Sequence, residues 1–118
     1  MPRTAALLVL LLAASLAEAA GKPRVPAQHG AIAYQRDSGR YGYAIDRANA
    51  RDARREALRQ CDEPRCEVML EIKDGCGALA RGARRLAAAK GTTRAEAETR
   101  ARNKCGADCE PVVWACTR

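Results

Sequence analysis

The chain carries one pattern twice, in degenerate form. Gly30-Ala31-Ile32-Ala33-Tyr34 recurs as Gly77-Ala78-Leu79-Ala80-Arg81, and residues 53–61 (A-R-R-E-A-L-R-Q-C) recur as residues 97–105 (A-E-T-R-A-R-N-K-C). Each copy then reaches a second Cys, Cys66 or Cys109, and an apolar β-branched run. Such a repeat constrains the fold more than any single propensity, because whatever supersecondary unit one copy forms the other must form as well.

In the first copy, residues 31–35 and 40–45 flank Arg36-Asp37-Ser38-Gly39, whose Asp, Ser and Gly favour turns, so this piece predicts a β-hairpin. Asn49, with Asp52 behind it, suits a helix N-cap, and Ala50, Ala53, Ala57, Leu58 and Cys61 recur at helical spacing; a helix is predicted over residues 50–60. Beyond Pro64, Val68, Leu70 and Ile72 alternate with Glu67, Met69, Glu71 and Lys73, the period of a strand with one buried face. The second copy repeats the plan. Thr93 and Glu96 are spaced as a capping box, Ala97, Ala101 and Cys105 form a narrow stripe, Glu96/Arg100 and Glu98/Arg102 form i,i+4 pairs, and Val112, Val113 and Trp114 form the last strand. The order ββαβ, twice, predicts an α+β domain with both helices packed on one mixed or antiparallel sheet.

The N-terminus sets the expected compartment. Arg3 precedes a continuous apolar stretch over residues 5–16, and the small residues Ala17 and Ala19 fit the rule for signal peptidase, which places residues 1–19 in a cleaved signal peptide. The stretch is shorter than the roughly 18 apolar residues of a transmembrane anchor. A lead-in over residues 20–29, with Pro23 and Pro26, would then precede a single domain over 30–118, with copy one at 30–76 and copy two at 77–118. The expected location is the periplasm or the medium.

Export changes how the six Cys are read, since an even count in an oxidising compartment indicates a disulfide framework. A small core makes that framework useful: the chain has no Phe, one Trp and three Tyr, and much of its apolar content is Ala. Pairing equivalent Cys in equivalent ways gives Cys61 with Cys66, Cys105 with Cys109, and Cys76 with Cys116. The third pair is not fixed by symmetry, because Cys66 and Cys76 share strand parity and Cys109 and Cys116 do not. A zinc site from Cys61, Cys66, Cys105 and Cys109 is the competing reading; the spacings are not the tight pairs of zinc ribbons, and neither close pair is a C-x-x-C.

The signal peptide, Gly30-Ala31-Ile32-Ala33-Tyr34, Tyr41-Gly42-Tyr43, the Ala-rich helix ending in Cys61, and Cys76-Gly77-Ala78-Leu79-Ala80 together resemble a bacterial exported family catalogued as domain of unknown function 4189. The resemblance runs from Gly30 to Cys116 and implies a small exported or periplasmic domain. The second copy departs from the family pattern at Arg85, Leu86 and Ala87, where another aromatic and Gly-rich strand is expected.

Residues suited to catalysis are sparse. The only His is His29, and Ser38 lies in a hairpin turn, so no Ser-His-Asp set can be assembled. Glu67 and Glu71 share a strand face with Met69 and Lys73, as a solvated side would. No glycine-rich phosphate loop and no carboxylate cluster of metal spacing occurs. A non-enzymatic protein without cofactors is expected, with a small envelope hydrolase as a remote third reading. Tyr41 and Tyr43 project to one face of their strand and would serve as a stacking platform or as core; with no Phe available, core is the expectation.

Charge supplies the leading functional reading. The formal net charge is +7. Arg51, Arg55 and Arg59 form an i,i+4,i+8 line on the first helix, with Arg54 nearby, and Arg81, Arg84 and Arg85 cluster in the second hairpin. These are the candidate binding residues of an exported module that engages an anionic macromolecule or an acidic protein of the cell envelope. The alternative is an inhibitor or immunity-type protein that blocks a cell-envelope enzyme, with residues 81–85 as the entering loop. Export argues against nucleic acid as the partner.

Overall fold

The computed structural model describes residues 25–117. The predicted signal peptide lies outside the described residues.

Unit one comprises β1 (His29–Tyr34), β2 (Tyr41–Arg47), α1 (Ala50–Cys61) and β3 (Glu67–Lys73); unit two comprises β4 (Gly75–Arg81), β5 (Leu86–Gly91), α2 (Arg94–Cys105) and β6 (Glu110–Thr117). The order is ββαβ twice, in an α+β fold. Both helices start where their caps are. The Asn49 side chain accepts from the backbone N–H of Asp52 at 2.9 Å, and the Thr93 hydroxyl accepts from that of Glu96 at 3.1 Å. Glu96 returns to Thr92 rather than to Thr93, so the second cap is half of the expected box. Glu96 pairs with Arg100 as expected, whereas Glu98 takes Arg94 in place of Arg102.

The strands do not form one sheet. They form two antiparallel three-stranded sheets, in orders β2-β1-β3 and β5-β4-β6. The reason lies in the central strands, which are apolar on both faces. Ala31, Ala33 and Ala44 pack with Ala53, Ala57 and Cys61 of α1, and Ala78, Ala80 and Ala87 pack with Ala97, Ala101 and Cys105 of α2. The opposite faces supply Ile32, Tyr34 and Ile72 from one sheet and Leu79, Val113 and Ala115 from the other, and these make a single cluster. The layers therefore run α1, sheet, sheet, α2. A single sheet carrying both helices on one side would leave Ile32 and Leu79 facing water, at about 1.5–3 kcal/mol for each such side chain.

Small side chains on the helix faces let the layers approach closely. A Cβ on Gly42 would lie 2.1 Å from the Ala57 carbonyl oxygen and 2.4 Å from the Cys61 nitrogen, so α1 rests directly on the β2 backbone. A Cβ on Gly77 would lie 2.2 Å from Leu70 Cδ2, across the layer between the sheets.

Each unit also has a β-bulge in its last strand. Ile32 faces Leu70 and Ala33 faces Val68, which leaves Met69 as the extra residue; Leu79 faces Val113 and Ala80 faces Pro111, which leaves Val112. The bulge splits the alternation read from sequence: Val68 packs under α1, whereas Leu70 and Ile72 join the layer between the sheets.

All three expected disulfides are formed, Cys61–Cys66, Cys105–Cys109 and Cys76–Cys116, and no described Cys is free. Cys76 stands directly opposite Cys116 on neighbouring strands, so the third pair is set by cross-strand register. Because β4 begins at Gly75, Cys76 belongs to the second unit. Every bridge therefore closes within one unit. The units are joined by the turn at Asp74 (φ 47°) and by the packing between the sheets.

Candidate functional site

The edge strands β2 and β6 define a groove. Tyr43 stands opposite Ile32 and Tyr41 opposite Tyr34, so both tyrosines share the face that looks toward the other sheet. β2 is an edge strand, however, and its outermost side chains overhang: Tyr41, Tyr43 and Ile45 are 49%, 42% and 37% exposed. On β6 the bulge turns Val112 outward, and Trp114 lies beside it; each is 42% exposed. These five residues, with Val113, Ala115 and Cys116 of β6, line one groove of about 470 Å³. Arg94, at the start of α2, lies over the Trp114 ring and is held there by Glu98 at 3.3 Å. The expectation that Tyr41 and Tyr43 form core is thus overturned. Among the described aromatics only Tyr34 is buried.

The internal repeat provides a control within the molecule. By register, Leu86 stands where Tyr41 does, opposite Arg81, and Ala88 where Tyr43 does, opposite Leu79. Lys90 then corresponds to Ile45 and Met69, the other bulge residue, to Val112. Glu71, opposite Ala31, corresponds to Trp114, opposite Ala78. In that second position Glu71 is closed by an ion pair with Arg54. The same fold thus tolerates small, charged and paired residues at the site where the groove carries aromatic ones.

The expected arginines fall into two separate groups. Arg51, Arg55 and Arg59 are exposed on α1, away from its Ala53, Ala57 and Cys61 stripe. Arg59 is committed to Glu56, while Arg51 and Arg55 have no ion pair among the described residues. Of the hairpin group, Arg81 donates to the Tyr34 hydroxyl at 2.7 Å and Arg85 to the Cys105 carbonyl at 3.3 Å. Arg84 alone projects freely. The Gly82 N–H donates to the Arg85 carbonyl at 2.9 Å, so this is a tight turn rather than a protruding loop. Across from it lies the first hairpin turn, and Arg36, Asp37, Arg81, Arg84 and Arg85 line a common cleft of about 210 Å³. The sequence places Arg36 only in the first hairpin turn and not among the candidate binding residues, since only the stacking of the sheets brings the two turns together.

The titratable groups considered for catalysis are dispersed. His29 stands between Arg47 and Lys73 in the strand register. The Ser38 hydroxyl donates to Glu63 at 2.7 Å, and Glu71 is taken by Arg54. The strongest electrostatic perturbation is at Glu56. Hydrogen bonds from Arg59 first and Gln60 second, with the charges of Arg59 and Arg47, hold its carboxyl at about 2, from an ordinary 4.5.

The family described as "Domain of unknown function (DUF4189)" matches residues 29–116. Among solved structures the chain is similar to the NMR structure of Rv1813c from Mycobacterium tuberculosis, at 31% identity and a TM-score of 0.61, over 82% of this chain and 80% of that one. No curated protein matches it.

Proposed function

We propose that this chain, which belongs to the DUF4189 family, is an exported, non-enzymatic binding module that holds an extended segment of an acidic partner protein in the groove between β2 and β6. One observation carries the reading. Tyr41, Tyr43 and Trp114, three of the four aromatic residues in a chain with no Phe, are exposed together in one groove. A core this poor in aromatic residues would gain from burying them, so their exposure calls for an external contact.

The groove suits a strand. Tyr41, Tyr43 and Ile45 repeat every second residue, about 6.6–6.8 Å apart, which is the spacing of same-side residues in an extended peptide. Its other wall is β6, an edge strand whose outer side has no partner strand within the described residues. An extended segment can pair with that edge while alternate apolar side chains meet the aromatic wall. The acidic character of the partner follows from the net charge of +7 and from the unpaired Arg51 and Arg55.

The exported location is supported by the leader pattern and by three disulfides, which persist in an oxidising compartment such as the periplasm or the medium. No helix among the described residues is long and apolar enough to cross a membrane. The tight turn at 82–85 favours a groove-binding module over an inhibitor that inserts a loop.

The test is capture from an envelope extract by the mature chain, compared with Tyr43→Ser and Trp114→Ala, followed by hydrogen exchange on the purified complex. The groove variants should lose the partner, and β6 amides should gain protection in the complex. Equal capture by all three proteins would overturn the proposal.

A further inference from the structure

We infer that the cleft between the two hairpin turns is a second ligand site, independent of the groove, which takes a phosphate-type oxyanion. It shares no lining residue with the groove.

The argument begins with charge. Arg36, Arg81, Arg84 and Arg85 line the cleft, and the single carboxylate among its lining residues is Asp37. That carboxylate is paired with Arg65, 3.1 Å away, which does not line the cleft. Asp108, behind the second turn, accepts from the Ala83 N–H at 3.4 Å. Arg36 and Arg84 have no ion pair among the described residues and are exposed. Four guanidinium groups around one cleft repel one another, and an anion seated among them relieves that repulsion.

Geometry adds preorganisation. Arg81 is fixed by its hydrogen bond to the Tyr34 hydroxyl and by its position 5.6 Å from the centre of that ring. Arg85 is fixed by the carbonyl of Cys105, the last residue of α2. Each of these contacts uses one of the five N–H donors of a guanidinium, so both side chains keep donors for a ligand while their rotamers are held. Paired N–H donors match the oxygens of phosphate in a bidentate way, which a lysine ammonium does not. A cleft of about 210 Å³ admits a phosphate group with part of its carrier and is too small for a folded partner's loop.

The carrier is either a soluble phosphorylated compound or a phospholipid headgroup, and one experiment separates them. The mature chain, labelled with ¹⁵N, is titrated with inorganic phosphate and with pyrophosphate against chloride at matched ionic strength. Saturable shifts are expected at Arg36 and at residues 82–85, with Trp114 unmoved. Arg36→Gln with Arg84→Gln, both exposed and without structural partners, should weaken binding by about tenfold or more. Arg51→Gln with Arg55→Gln, which removes equal charge from α1, should leave it unchanged.

In parallel, vesicles of phosphatidylglycerol are compared with vesicles of phosphatidylcholine. Binding to the former that pyrophosphate displaces identifies a headgroup, and phosphate binding without vesicle binding identifies a soluble ligand. Shifts that are equal in chloride, that never saturate, or that survive the Arg36/Arg84 double change would overturn the site.

Discussion

The guanidinium carbon of Arg94 lies 4.2 Å from the centre of the Trp114 ring. The contact covers one face of the indole, at the rim of the groove that Trp114 helps to line. Trp114 is the only Trp in the chain, so its fluorescence reports on the groove without labelling. A groove ligand should shift or quench the emission, and phosphate should not. Arg94→Gln should move the free protein's emission toward longer wavelength and cost no more than about 1 kcal/mol of stability, the usual size of an exposed cation–π contact. An unchanged spectrum in that variant would remove Arg94 from the groove wall.

Of the described glycines, Gly42 makes the closest approach to a helix backbone. The side chain introduced by Gly42→Ala would meet backbone atoms of Ala57 and Cys61 at 2.1 and 2.4 Å, and a helix backbone cannot rotate away as a side chain can. A loss of about 3 kcal/mol, the upper end of ordinary overpacking costs, is expected in urea denaturation. The change also lifts α1 from β2, so Tyr41 and Tyr43 should shift in NMR spectra even where the variant still folds.

The disulfide topology has a direct test. A protease site introduced between β3 and β4 should, after cleavage, release two fragments on a denaturing gel without any reductant, because no bridge crosses from one unit to the other. Alkylation before reduction should label no Cys. In the chain-entropy argument, the loop of sequence separation 40 closed by Cys76–Cys116 stabilises by about 4 kcal/mol and the loop closed by Cys61–Cys66 by about 2. Double Ser replacement of the first pair should therefore lower the denaturation midpoint more than replacement of the second.

Glu56 supplies a pH signature. Its folded pKa is lowered to about 2 from 4.5, so its stabilising contribution is fully present above about pH 4.5 and is lost as the pH falls toward 2. Glu56→Gln should flatten that part of the acid-denaturation curve, with a small effect because its main partner, Arg59, is largely exposed. An unchanged slope in the variant would show that Glu56 titrates at its ordinary value.

The elements were legible because their signals are local. Asn49 and Thr93 announce the helix starts, the Ala stripes announce the buried helix faces, and the repeat ties Cys61 to Cys66 and Cys105 to Cys109 in the same way. The third bridge and the two-sheet arrangement were less legible for a shared reason. Parity counting assumes an unbroken strand, and the extra residues Met69 and Val112 break it, so Leu70 and Ile72 face the other sheet while Val68 faces the helix. The exposure of Tyr41 and Tyr43 was read the wrong way round. In a single strand, a side chain aimed at a core looks the same as one that overhangs its edge.

Residues within a dozen positions of one another settle the helices, the hairpins and the short bridges, since caps, turn chemistry and small loops act along the chain. The stacking of one sheet on the other belongs to contacts between copies. It follows from β1 and β4 being apolar on both faces, and from there it decides which strand ends overhang and which turns meet. The aromatic groove and the arginine cleft both arise at those margins. Tyr43 and Trp114, and Arg36 and Arg84, are far apart in sequence and become neighbours only when burial of Ile32 against the opposite sheet brings the two units together.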